Sequence, residues 1–405
     1  MRPRPPSFLP SRPRRRMLSA VTALAALAGV AACVAGCRSD APDPAGPTAS
    51  SAAAEPAWHL GRPVIDSHVH LSPNMQALAR ALEVFDRVGI DRFVVKSAGS
   101  VGSPRYQATL AMQRVLGDRM RAFANIDWQG IDDPRWTQRQ VAALERAKAD
   151  GILGVKVFKA LGLGVRTADG KLLSIDDPRL DAIFDACGRL GLIFAWHVAD
   201  PRAFFQPVTP DNERYDELKI AEDWSFHGKD FPSFDELMAA QERRIRKHPG
   251  TTFLLIHLGN DAEDLDNVDH LLTTYPNVFV DTSARVPEFG RHPADRVRAF
   301  FVKHQDRILF GSDFIVDFDG RMQLGSVWHV PDQQPGVDDA VEFFVRHWRY
   351  FETDGKQIDH PTPIQGRWKV DAIALPPDVL HKLYVANAER LLFGPPAADT
   401  NRNNP

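Results

Sequence analysis

Val64-Ile65-Asp66-Ser67-His68-Val69-His70 is a short β-rich run with ligand-type side chains at every second position. Side chains alternate along a strand, so Asp66, His68 and His70 share one face. The two histidines then stand about 6.6 Å apart at their bases. That is close enough to converge on one ion through bonds of about 2.0 to 2.1 Å. Two unrelated polar residues at a strand end would look the same, so the remaining chain has to supply further ligands.

Seven more β-rich runs follow, each with a helical pattern behind it: 92–96, 120–126, 152–158, 192–198, 252–258, 278–282 and 308–313. Strands alternating with helical stretches predict parallel pairing through right-handed crossovers, in an open sheet or a closed barrel. Residues with metal-binding chemistry sit near the C-terminal ends of the first, fourth, fifth, sixth and eighth runs. In an open sheet laid down in order, the first and last of eight strands lie roughly 34 Å apart. A barrel gathers all the ends in one mouth. The sequence therefore predicts an α/β protein, a (β/α)8 TIM barrel with a metal site at the C-terminal ends of its strands. No G-x-G-x-x-G follows the first run, so a dinucleotide fold lacks its phosphate cradle.

The fifth run ends at His197, the sixth at His257 and the eighth at Asp313, each a ligand-type residue behind an apolar strand. Imidazole and carboxylate without thiolate suit zinc, manganese, iron or nickel, with zinc the first expectation, as one ion or two. The set resembles the amidohydrolase superfamily, in the branch that includes aminocarboxymuconate-semialdehyde decarboxylase. The resemblance runs from Val64 to about Phe393: Asp-x-His-x-His on the first strand, His197, His257, Gly311-Ser312-Asp313, and Asn387-Ala388-Glu389-Arg390-Leu391-Leu392 near the end. It implies that His68, His70, His197 and Asp313 hold a catalytic ion. His257 would bind a second ion or act on water or substrate.

The fourth run, Val155-Lys156-Val157-Phe158, resembles the segment of hydantoinase-like members that carries a metal-bridging carboxylated lysine. Decarboxylase-like members lack it. Lys156 is thus the candidate bridging ligand and Lys159 its competitor, while a plain ion pair between Lys156 and a barrel carboxylate such as Asp281 stays open. Asp313 is the candidate base, taking a proton as water attacks and returning it to the leaving group. Arg105 and Arg285 are candidates for a substrate carboxylate. Loops at this face shape substrate sites, which makes Trp224 and His227 candidate lining residues with Phe204, Phe205, Phe226, Phe314, Phe318, Trp328 and His329. Three classes remain open: a hydrolase of an amide, ester or lactone in a small molecule; a non-oxidative decarboxylase or hydratase; and a tethered binding protein that keeps a metal without turnover.

Of the 405 residues, 44% are hydrophobic and 25% charged, enough for one large barrel. The formal charge of −3 includes six arginines in residues 1–36; the remainder carries 43 basic against 52 acidic residues, which argues against a nucleic-acid partner. Residues 1–36 pair a basic cluster with an apolar run from Met17 to Ala35, the order of a secretory signal. Val34-Ala35-Gly36-Cys37 resembles the lipobox of bacterial lipoproteins, which implies acylation of Cys37, export to the cell envelope and a membrane as partner. An uncleaved membrane anchor is the alternative, and Arg14-Arg15-Arg16-Met17-Leu18 resembles a twin-arginine signal. Residues 37–59, rich in proline, alanine and serine, predict a flexible tether. The barrel domain is placed at 60–396 and a disordered tail at 397–405, and an assembly of identical chains is compatible with all of this. Cys187 shares a helical face with Leu180, Ile183, Phe184 and Leu190, so it reads as a buried, inert thiol.

Overall fold

Eight parallel strands run in chain order around the molecule: β1 (Val64–Leu71), β2 (Ile90–Val95), β3 (Met120–Asn125), β4 (Gly154–Val157), β5 (Ile193–Trp196), β6 (Thr252–Leu255), β7 (Val278–Asp281) and β8 (Ile308–Leu309). They belong to a computed structural model that describes residues 58–59, 61–228, 230–327 and 334–394. The signal-like segment, Cys37, Trp328, His329 and the tail after 396 lie outside the described residues. Among the described residues no helix is long and apolar enough to cross a membrane.

The barrel closes without a regular β8–β1 ladder. Ser67 N–H donates to the Phe310 carbonyl (2.9 Å), and Asp313 N–H to the His68 carbonyl (2.9 Å). These bonds lock Asp313 beside His68. The Phe310 N–H instead reaches the Leu383 carbonyl (2.9 Å) in the π-helical stretch Lys382–Ala386, and Asn387 Nδ2 caps the carbonyls of Gln305 and Ile308 (2.7 and 2.8 Å). Gly311 makes the closure possible, because a Cβ there would stand 2.9 Å from that of His68. Asp66 staples the same seam, its Oδ1 accepting from the backbone N–H of His68 (2.9 Å) and Ser312 (3.1 Å).

Two strands were not expected. β9 (Phe314–Val316) runs parallel to β1, and β10 (Met322–Leu324) folds back on it antiparallel, with Asp319-Gly320 in the turn. The sixth run is also shorter than its composition suggests: β6 stops at Leu255, because the His257 N–H leaves the ladder for Asp281 Oδ1 (3.0 Å).

Helices cover the outside. Helix Met75–Val88 shows the logic: Asn74 caps its first turn by accepting from Ala77 N–H (2.8 Å), a contact of about 1 kcal/mol. Ala77, Leu78, Ala81, Val84, Phe85 and Val88 are buried at helical spacing, and Gly89 ends it with φ of 80°. Trp58 and His59 are part of the packed body rather than the tether: the Trp58 N–H donates to Glu352 (2.9 Å), and the His59 ring stacks on Trp348. Cys187 is fully buried, and burial pushes its thiol up to about 12.

Candidate metal centre

Because β1 carries His68 and His70 on one face and the closing bonds bring in Asp313, three ligand atoms meet in the mouth. His68 Nε2 and His70 Nε2 are 3.3 Å apart, and Asp313 Oδ1 lies 3.4 Å from the first and 3.3 Å from the second. An ion bound tetrahedrally at about 2.05 Å spaces its ligand atoms about 3.3 Å apart. The triangle therefore has the size of one face of a tetrahedral site. Among the described residues this is the one group of three histidine, cysteine or carboxylate side chains that close together.

The protonation states suit a cation. Burial is the main influence on His68 and His70, holding the first down to about 3 and the second below its ordinary value. Both are neutral at pH 7, the form that ligates. Burial pushes the Asp313 carboxyl upward, but hydrogen bonding to His70 and the nearby positive groups outweigh it and leave the acid below its usual range. The Asp281 carboxylate selects the His68 tautomer: it accepts from Nδ1 (2.9 Å), so Nε2 presents its lone pair to the triangle. Ser283 Oγ donates to Asp281 (2.5 Å) and lies 2.9 Å from His68 Nδ1 and 3.0 Å from His257 Nδ1. The His257 Nδ1 also faces the Ser283 carbonyl (2.8 Å), an acceptor, so Nδ1 carries the proton and Nε2 is free.

His197 and His257 form a second layer. Their ring centroids are 4.4 Å apart, and that of His257 is 5.3 Å from His68. His197 Nε2 pairs with Asp200 Oδ1 (3.2 Å) and is not part of the triangle. Asp200 is in turn held by Lys159, whose ammonium lies over the faces of Trp224 (4.8 Å), Phe226 (5.7 Å) and Phe204 (5.9 Å). Lys159 is thereby committed. Lys156 has no carboxylate within ion-pair distance among the described residues, although the charges of Asp313 and Asp281 act on it; it lies over Phe158 (4.7 Å), and burial lowers its amine to about 8.

The remaining candidates divide. Arg285 is buried, donating to the Ala284 carbonyl (2.8 Å) with its other amine 3.7 Å from Asp200 Oδ1, and its charge bears on His257. Arg105 is spent on scaffolding: Nε donates to the Ser97 carbonyl (2.6 Å) and one Nη to the Leu71 carbonyl (3.0 Å), so it offers no free bidentate fork. Trp224 serves Lys159. His227 is exposed and meets the Phe205 carbonyl (3.3 Å). Asp281, Ser283 and Asp200 were not read as site residues. The signal for Asp281 was present, since it ends the seventh strand.

A family model described as amidohydrolase matches residues 65–394. No curated protein matches the sequence. Among solved structures, an uncharacterised TIM-barrel protein from Bordetella bronchiseptica is 16% identical, with a TM-score of 0.48 over 82% of this chain and 99% of that one. A 2,6-dihydroxybenzoate decarboxylase is 17% identical, with a TM-score of 0.45 over 82% and 98%. A dihydroorotase from Campylobacter jejuni is 12% identical, with a TM-score of 0.44 over 81% and 82%.

Proposed function

The chain belongs to the amidohydrolase family, and on that premise we propose that it is a metal-dependent hydrolase of an amide, ester or lactone bond in a small molecule. The observation that carries this is the triangle of His68 Nε2, His70 Nε2 and Asp313 Oδ1, sized for one divalent ion, with zinc the first candidate. When bound there, such an ion supplies Lewis acidity and an acidified water.

The chain's own groups supply the proton chemistry and the positioning. Asp313 is ionised at neutral pH, takes the proton of the attacking water and returns it to the leaving group. Its φ of 64° is a strained value for aspartate, maintained by the Asp313–His68 backbone bond that fixes its place. His257 keeps its Nε2 unprotonated on a ring 5.3 Å from that of His68, and Arg285 offers a buried positive charge to an anionic substrate group or to charge developing on the reacting carbonyl. Residues 1–36 act as an export signal, and acylated Cys37 tethers the barrel to the cell envelope.

A non-oxidative decarboxylase or hydratase is the second reading, favoured by the fact that the three converging ligand atoms of His68, His70 and Asp313 make one seat. A panel of lactones, esters and amides against aromatic and unsaturated carboxylic acids, assayed on zinc- and manganese-loaded protein, separates the two. Hydrolysis that falls roughly 10²- to 10⁴-fold in Asp313→Asn supports the proposal. Release of carbon dioxide without hydrolysis rejects it. Metal counts on Lys156→Ala add a second test, because a bridging lysine takes one ion with it when removed and a bystander does not.

A further inference from the structure

After β6 the backbone turns left-handed for four consecutive residues, with φ of 56° at His257, 50° at Leu258, 77° at Gly259 and 65° at Asn260. Three of the four carry a Cβ, which makes the left-handed region unfavourable for His257 and Leu258 and less so for Asn260. Buried contacts hold the turn. Asn260 N–H donates to the Ile256 carbonyl (3.1 Å). The Asn260 side chain then reaches across to β5: Oδ1 accepts from Val198 N–H (2.9 Å), and Nδ2 donates to the Trp196 carbonyl (3.2 Å) and to Gln241 Oε1 (2.7 Å). Gln241, from helix Phe234–Lys247, closes the circuit by donating to the Gly259 carbonyl (3.2 Å). Both amides are buried.

Trp196 and Val198 flank His197. The β5–β6 ladder ends at the Trp196–Leu255 pair, so beyond it the strands no longer fix each other. Asn260 takes over there, gripping the backbone on both sides of His197 while its own backbone forms the turn that displays His257.

We infer that Asn260, supported by Gln241, is a positioning residue that sets the His197 and His257 rings against each other at 4.4 Å between centroids and 71° between planes. It acts through the two histidines and touches none of the triangle atoms. This inference rests on the metal-site reading for its purpose, but its geometry is testable without metal. The rival role is conformational: asparagine tolerates positive φ, and glycine tolerates it better.

Asn260→Gly in the full chain separates them, because it eases the backbone and deletes the clasp. Gln241→Met keeps Asn260 and removes its support, and it carries the test should the glycine variant fold poorly. Histidine side-chain nitrogen NMR spectra are recorded on the metal-free proteins, with His197 and His257 assigned by single substitution, and zinc affinity is measured by chelator competition. The expected result is displaced His197 and His257 resonances in both variants and unmoved His304 resonances, whether or not the zinc affinity changes. Unchanged ring resonances in a folded variant would overturn the inference. If the wild-type chain binds no zinc, the metal-site reading fails and the ring resonances alone decide the positioning role.

Discussion

Replacing Asp281 by asparagine tests how the triangle is oriented. One carboxylate oxygen, Oδ1, accepts from His257 N–H (3.0 Å), Ser283 N–H (3.2 Å) and Ser283 Oγ (2.5 Å), while Oδ2 accepts from His68 Nδ1 (2.9 Å). In asparagine the carbonyl oxygen stays with the three donors, which puts the NH₂ group against His68 Nδ1. Two donors cannot share that contact, so His68 shifts its proton to Nε2, the atom that faces the ion. Loss of a carboxylate behind a metal-ligating histidine weakens binding about 10- to 100-fold. That corresponds to about 1.4 to 2.7 kcal/mol. Zinc competition titrations give the affinity, and nitrogen NMR of the metal-free variant gives the tautomer. An Asp281→Asn protein that binds zinc as the wild type does, with His68 still protonated on Nδ1, would refute the reasoning.

Gly311→Ala places a Cβ 2.9 Å from that of His68, and overpacking of this kind costs about 1 to 3 kcal/mol; thermal unfolding should show a lowered midpoint, and zinc titration a weaker site. Lys96 is fully buried over the Phe123 ring, and burial lowers its amine to about 7 from 10.5. The unfolded chain therefore binds the proton more tightly than the folded one, so this residue's penalty is full below pH 7 and disappears as pH rises to about 10.5. Melting curves from pH 7 to 10 should rise more steeply for the wild type than for Lys96→Met, and parallel curves would contradict the assignment. Lys159→Met removes the cation that holds Asp200. Its His197 ring resonances should move while those of His68 stay in place.

The barrel was legible because its strands are apolar runs with ligand-type residues at their C-terminal ends, and such a pattern makes chemical sense only if the ends meet. His68, His70 and Asp313 came with it, two from strand alternation and one from the last strand end. The partners were less legible. Asp281 orients His68 only because the closed barrel brings the end of β7 within side-chain reach of β1, and a lone aspartate in sequence does not reveal its neighbour. Arg105 and His227 looked like substrate residues, but their hydrogen bonds go to backbone carbonyls that no sequence pattern predicts. The β9–β10 hairpin had a readable signal in Asp319-Gly320 between Phe314-Ile315-Val316 and Met322-Gln323-Leu324. The left-handed turn at 257–260 had almost none, since three of its residues are not glycine and the side-chain clasp that stabilises it joins distant segments.

The central claim is that His68, His70 and Asp313 hold a divalent ion. Elemental analysis of the purified full chain, beside a His70→Ala variant shown by circular dichroism to be folded, tests it most directly. At least one equivalent of a divalent transition metal in the wild type, lost in the variant, is the predicted result; a wild-type chain without tightly bound metal, or a variant that retains the full complement, would contradict it.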